Sequence, residues 1–300
     1  MRITFQSALQ LNLPAIAELQ TTTYGGGWTS NPTKLADIFR IQSVDLQQSL
    51  IAYDGRKPIG LALLGRRRAH GWLYDFGMLP AYRGRGLGTR LLTTAARQAA
   101  KAGIRDIELD VWERRDDAIR LYQRAGFQHT RSYLNLEASG SALRLSDLDM
   151  PPRLRITPGS VEEVIGWYAA ARAEPDPCWD RRLPSLLTYS DAQFCTVADE
   201  HGSIACMHYV ARIAAGKDPN RVRPMFIGLT ERARIEHLRA LFSFAARTAF
   251  ADFSTTIFRI ALEPETSTPA QLLLDMGMRI AGRALDMRLD IAQLYGEYTA

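Results

Sequence analysis

The amino-acid sequence predicts an α/β (α+β) protein built from two similar domains. Three observations point there. The first half alternates strand-like and helix-like segments. The second half repeats that order. Residues 121–136 also lie over 272–287 without a gap, so that Leu121 meets Leu272, Gly126 meets Gly277 and Leu134 meets Leu285. A chain of 300 residues has room for two domains. The stretch 138–158, with Ser139-Gly140-Ser141, Pro151, Pro152 and Pro158, marks the boundary, giving domains 1–140 and 151–300.

Each element has a local reason. Pro14 to Gln20 begins a helix, and 21–32, with three glycines in a row, reads as a loop. Ser49–Tyr53 and Pro58–Leu64 are strands around an Asp54-Gly55 turn. A second turn at His70-Gly71 leads into Trp72–Leu79, apolar except for Asp75. Leu87, Leu91, Leu92, Ala95, Ala96 and Ala99 follow helical spacing, and Gly103 stops that helix. Ile104–Trp112 alternates as a strand, Asp116–Arg124 is a short helix closed by Gly126, and Phe127–Leu136 is a strand or a pair of strands. In the second half, a helix at Val161–Arg172 precedes a hairpin around Glu200-His201-Gly202. Strands at Pro224–Leu229, Thr256–Leu262 and Arg279–Ile291 then alternate with helices at Arg234–Phe250 and Pro269–Met276.

Composition excludes several classes. Hydrophobic residues at 46% and charged residues at 23% are those of a globular protein, not of a disordered or collagen-like chain. No apolar run reaches the ~18 residues of a membrane-spanning helix, so no membrane association is expected. Cys178, Cys195 and Cys206 form no CxxC pair, which argues against a disulfide framework and for the cytoplasm. The histidines, 70, 129, 201, 208 and 237, lack metal-ligand spacing, so no metal is expected. A net charge of +5 suits an anionic ligand. Arg66-Arg67-Arg68 is too short a cluster for a nucleic-acid footprint and reads as a solvated strand end.

The strongest chemical signal is Leu79-Pro80-Ala81-Tyr82-Arg83-Gly84-Arg85-Gly86-Leu87-Gly88-Thr89-Arg90, set between a strand and a helix. Gly84, Gly86 and Gly88 let the backbone turn and approach a ligand. The amides opening the helix, at the positive end of its dipole, make a phosphate site. Arg83 and Arg85 add positive charge. The stretch has no lysine for a P-loop, and its glycines miss the last spacing of GxGxxG.

This loop, followed by Ala118-Ile119-Arg120-Leu121-Tyr122-Gln123-Arg124-Ala125-Gly126-Phe127, resembles the GNAT N-acetyltransferase superfamily over residues 3–137. The resemblance implies two GNAT-like domains, each a mixed, mostly antiparallel sheet flanked by helices. It implies acetyl-CoA as co-substrate, with its pyrophosphate on the loop amides from Gly84 to Thr89 and Arg83 as a further cofactor contact. It also implies splayed central strands that admit the pantetheine along Phe76, Gly77 and Met78. Tyr122 stands where many members carry a tyrosine that protonates the leaving thiolate. For the base, Asp110 stands where some carry a glutamate. Asp75, Glu108 and a water chain remain open, and alternation puts Glu108 and Asp110 on one strand face. Members often carry asparagine where Arg115 stands here. Trp28 and Tyr24 lie in the loop that covers acceptors in relatives.

The second half reads Thr230-Glu231-Arg232-Ala233-Arg234 where the glycine loop would recur, and Leu273 where Tyr122 would. The resemblance therefore implies a degenerate second copy. The expected activity is acetyl transfer to a primary amine of a small molecule or peptide by direct attack. The alternative is a non-catalytic acyl-CoA-binding sensor or assembly module. Monomer and homodimer stay open.

Overall fold

The computed structural model of the chain describes residues 2–25, 29–145, 153–170, 177–213, 219–250, 255–291 and 293. In chain order the first ten elements are β1 (Ile3–Ser7), α1 (Leu13–Tyr24), α2 (Pro32–Gln42), β2 (Leu50–Asp54), β3 (Lys57–Arg67), β4 (His70–Met78), α3 (Leu87–Lys101), β5 (Asp106–Trp112), α4 (Asp116–Arg124) and β6 (Gln128–Ser139). There follow β7 (Arg155–Gly159), α5 (Val164–Ala170), α6 (Leu183–Leu186), β8 (Ala192–Asp199), β9 (Gly202–Arg212), β10 (Arg221–Leu229), α7 (Ile235–Ala249), β11 (Ile257–Pro264), α8 (Thr268–Asp275) and β12 (Arg279–Asp290). The fold is mixed α/β with mostly antiparallel strand pairs, as the sequence predicts. Strands β1 and β7 and helices α2 and α6 are not among the elements expected from the sequence.

Two compact units form: residues up to Thr130 with those from Leu285 on, and Arg131–Ala284. In the first unit β1, β2, β3 and β4 pair antiparallel in sequence order. Tyr74 is an extra residue at a register shift, since Leu63 faces Asp75 and Leu64 faces Leu73. Strand β5 joins β4 in parallel, and among the described residues they pair only over His70–Trp72 against Asp106–Glu108. Beyond that the two strands part.

Helix α3 buries Leu87, Leu91, Leu92, Ala95, Ala96, Ala99 and Ala100, the stripe its spacing predicts, in a core shared with Leu61 and Leu63 of β3. Each such leucine contributes about 1.5–3 kcal/mol by leaving water. Helices α1 and α2 start alike. Asn12 accepts from the Ala15 N–H, Asn31 accepts from the Thr33 and Lys34 N–H groups, and a proline opens each first turn.

The second unit repeats this plan. β7, β8, β9 and β10 pair antiparallel, and β11 joins β10 in parallel over Arg221–Val222 against Ile257–Phe258. A register shift between Pro224 and Phe226 makes Met225 the extra residue. At the offset that lays Leu121 on Leu272, Tyr74 falls on Met225. The internal repeat thus extends to an irregularity no hydrophobic pattern reveals.

The compact units do not follow the boundary read from the sequence, 1–140 and 151–300. From Arg131 on, β6 belongs to the second unit, pairing antiparallel with β11 from Tyr133↔Pro264 to Ser139↔Ile257. Its Leu134, Leu136 and Ala138 lie in that unit's core. The end of β12 belongs to the first unit, where Met287, Leu289 and Ile291 are buried beside Ile107 and Leu109. There Ile291 N–H donates to the Arg105 carbonyl at 2.8 Å, and Asp106 holds both Arg288 (3.0 Å) and His70 (2.8 Å). The two copies have exchanged their last strands. Both strands alternate apolar and polar residues in the same phase, so local pattern does not distinguish the core each one fills.

Candidate active site

All residues of the site lie in the first unit. Strand β4 ends at Met78, a single 3-10 turn covers Pro80–Tyr82, and the chain reaches α3 through Gly84 (φ +70°) and Gly86 (φ +73°). A side chain at either glycine would meet no atom within 4 Å. The left-handed backbone is what requires glycine there, and it leaves the helix end open. The first helical bond of α3 runs from the Arg90 N–H to the Gly86 carbonyl. The amides of Leu87, Gly88 and Thr89 therefore precede the ladder. Among the described residues no side chain caps this end, and its first turn holds no acid. The donor set is that of an anion cradle. Gly88 has a different reason: its Cβ would stand 3.2 Å from Leu121 Cδ1, so it sets how closely α4 packs on α3.

The two arginines differ. Arg83 donates through Nε to the Met78 carbonyl at 2.9 Å and through Nη2 to the Thr23 carbonyl. It ties the end of β4 to the end of α1. Arg85 lies exposed over the Tyr82 ring, 5.8 Å from its centre. Phe76, Gly77 and Met78 lie on β4 past the point where β5 leaves it. Gly77 admits α1, since a Cβ there would come within 2.4 Å of Thr23.

Asp75 sits on this stretch, only 8% exposed. Tyr24 OH donates to its Oδ1 and Gln20 Nε2 to its Oδ2. Burial raises its pKa to about 6, against the hydrogen bonds from Tyr24, Gln20 and the Phe76 N–H. Tyr122, on α4, packs its ring on Phe76 (6.0 Å between centres) and Phe127 (5.7 Å). Burial, and then the charges of Asp75 and Asp110, hold its hydroxyl well above the usual phenol range. It stays protonated at neutral pH. Burial and Asp75 do the same for the Tyr24 hydroxyl.

The other candidates are placed less centrally. Asp110 is half-buried on β5, near enough to bias Tyr122. Glu108 is buried within the paired segment, opposite Trp72. Arg115 precedes α4 and is bonded to Asp117 (3.2 Å). Trp28 lies outside the described residues. Among the described residues no three His, Cys, Asp or Glu side chains gather to hold a metal. Gln20 and Ser30 join this site without any motif in the sequence to mark them. A glutamine on an amphipathic helix reads as solvent-facing, yet Gln20 is 2% exposed.

In the second unit the corresponding stretch is filled. Phe226, facing His208 after the register shift, stands where Asp75 stands. The start of α7 is satisfied by the protein itself, with His237 Nδ1 accepting the Arg234 N–H at 2.9 Å. Where β10 and β11 part, the buried Arg181 donates to the carbonyls of Met225 (2.7 Å) and Leu262 (3.4 Å) and pairs with buried Glu263 (2.5 Å). Leu262 adopts a left-handed backbone (φ +56°) at this contact. None of this was legible beforehand, because the sequence near Arg181 carries no motif.

The model of the acetyltransferase (GNAT) family matches residues 13–127. The uncharacterized N-acetyltransferase YycN of Bacillus subtilis is 37% identical over 59 residues, 20% of this chain and 38% of that protein. Among solved structures, a GCN5-related N-acetyltransferase from Sphaerobacter thermophilus superposes with a TM-score of 0.64 at 16% identity, covering 96% of both chains. A tandem GNAT protein from the clavulanic acid biosynthesis pathway superposes at 0.67 and 11% identity, over 97% of this chain and 99% of its own. Residues 13–127 thus match the acetyltransferase (GNAT) family model, and the fold of the chain is similar to that of a tandem GNAT protein.

Proposed function

We propose that the chain is an acetyl-CoA-dependent N-acetyltransferase with one active site, in the first unit, acting on a primary amine of a small molecule or peptide. The observation that carries this reading is the buried Asp75, its pKa raised to about 6, grouped with a protonated Tyr122 beside an uncapped glycine loop. The amides from Gly84 to Thr89 hold the pyrophosphate, and Arg85 supplies charge beside it. The open edge of β4 at Phe76 and Gly77 takes the pantetheine arm. The Met78 carbonyl is already held by Arg83. When bound, acetyl-CoA supplies an acetyl group activated as a thioester.

The amine nitrogen attacks the thioester carbonyl carbon. A C–N bond forms and the C–S bond breaks. The nitrogen's proton passes to Asp75, and Tyr122 gives its proton to the leaving sulfur, so products are an amide and a free thiol. Asp75 is preferred as base over Asp110 because it combines burial, a pKa raised to about 6 and fixed donors. Asp110 acts at a distance on Tyr122. The second unit, its cleft filled by Arg181, is a degenerate copy without a cofactor.

Calorimetric titration of acetyl-CoA into the wild type and Gly86→Glu tests the cradle. One site per chain, lost in the variant, is the expected result, and no binding by the wild type overturns the reading. Thiol release is then scored with a polyamine, an amino acid, an aminoglycoside and a peptide N-terminus. Binding without release on any amine would favour the sensor alternative.

A further inference from the structure

We infer that Gln20, its amide locked by Ser30, is a positioning residue that aims the Asp75 carboxylate at the incoming amine. The inference rests on the reading of Asp75 as the base. Three observations support it. Gln20 is a buried amide on α1 whose Nε2 donates to Asp75 Oδ2. Its Oε1 accepts from Ser30 Oγ at 2.7 Å. An amide has one donating and one accepting end. With the hydroxyl donating at Oε1, the NH2 faces the carboxylate and cannot rotate away without breaking both bonds. Ser30 is itself pinned, since its N–H donates to Thr21 Oγ1 at 2.9 Å, and that hydroxyl donates to the Ala17 carbonyl at 2.8 Å.

The connection from α1 to α2 therefore reaches Asp75 from both ends. Tyr24, the last residue of α1, bonds Oδ1 directly, and Ser30, just before the N-cap of α2, reaches Oδ2 through Gln20. With both oxygens fixed, the carboxylate plane cannot turn. The groups facing it are Gln20 and Tyr24 from α1, Tyr74 and the Phe76 N–H from β4, and Tyr122 from α4. Neither Gln20 nor Ser30 carries a proton in the reaction. Their effect passes entirely through Asp75.

The test reads Asp75 itself. The full chain, carboxyl-labelled with 13C at aspartate, is titrated by NMR, with the Asp75 signal assigned by its loss in Asp75→Asn. Gln20→Leu removes the donor and should raise the Asp75 midpoint by about one pH unit, a tenfold change in proton affinity. Ser30→Ala keeps the donor but frees the amide, and should raise it by less. It also serves if Gln20→Leu fails to fold. On an amine that gives thiol release, both variants should lower kcat and move its acid limb upward, with KM for acetyl-CoA unchanged. An unmoved midpoint in the folded variants overturns the inference, since loss of packing alone would not shift a titration. Failure of acetyl-CoA to bind the wild type would instead overturn the acetyltransferase reading, and the carboxyl titration separates the two.

Discussion

Ser30 and Arg181 occupy the same place in the two units, each one residue before the N-cap of the helix that follows, Asn31 for α2 and Arg182 for α6. Ser30 hydrogen-bonds Gln20 and so completes the setting of Asp75. Arg181 reaches the carbonyls of Met225 and Leu262 and fills the gap between the parted strands. One position thus supports a carboxylate in one copy and bridges the parted strands in the other.

The Arg181–Glu263 pair is buried on both sides, with 6% and 4% of the side chains exposed. Arg181→Ala or Glu263→Ala alone should cost about 3–5 kcal/mol, because each leaves a buried charge without its partner. Arg181→Met with Glu263→Leu should recover most of that loss. Urea unfolding of the three variants checks the pattern. Equal destabilisation by the double variant and by either single one would contradict it.

Tyr122→Phe removes one hydroxyl and leaves the ring contacts with Phe76 and Phe127 in place. Folding and acetyl-CoA affinity should be unchanged within a factor of two. Thiol release should fall roughly 10²–10⁴-fold, as for loss of a general acid. A fall in affinity of similar size would make Tyr122 a binding residue instead.

The pH dependence follows from Asp75. Burial raises its pKa to about 6, so the basic form predominates only above that value. The rate of acetyl transfer per unit acceptor concentration should therefore climb as pH rises through about 6. The folded protein binds this proton more tightly than an unfolded chain with the ordinary carboxyl value of 3.8, so ionised Asp75 weakens the fold as pH rises from about 4 to about 6. Asp75→Asn should lower activity and flatten both dependences, read by initial rates and by thermal unfolding across that range.

The exchanged strands make a prediction about fragments. A chain ended at residue 284 loses Met287, Leu289 and Ile291 from the core of the first unit, each about 1.5–3 kcal/mol of burial. It should lose acetyl-CoA binding although every residue of the site is present. Residues 1–140 alone should fail for the same reason. Limited proteolysis and calorimetry of both fragments decide it. A 1–140 fragment that resists proteolysis and binds acetyl-CoA would show that the last strand is dispensable.

Local physics was written in the sequence and the structure follows it. The stripe of α3 comes from a spacing that admits one buried face. The left-handed turns at Gly84 and Gly86 come from residues that alone adopt them without cost. The repeat was legible because both copies keep the same order of periods. Tertiary structure decided the rest. Strands β6 and β12 alternate alike, so only pairing partners determine which core each one fills. The character of Asp75 depends on burial and on donors from Gln20 and Tyr24, far from it along the chain, and charge in a site is set by what surrounds it in space.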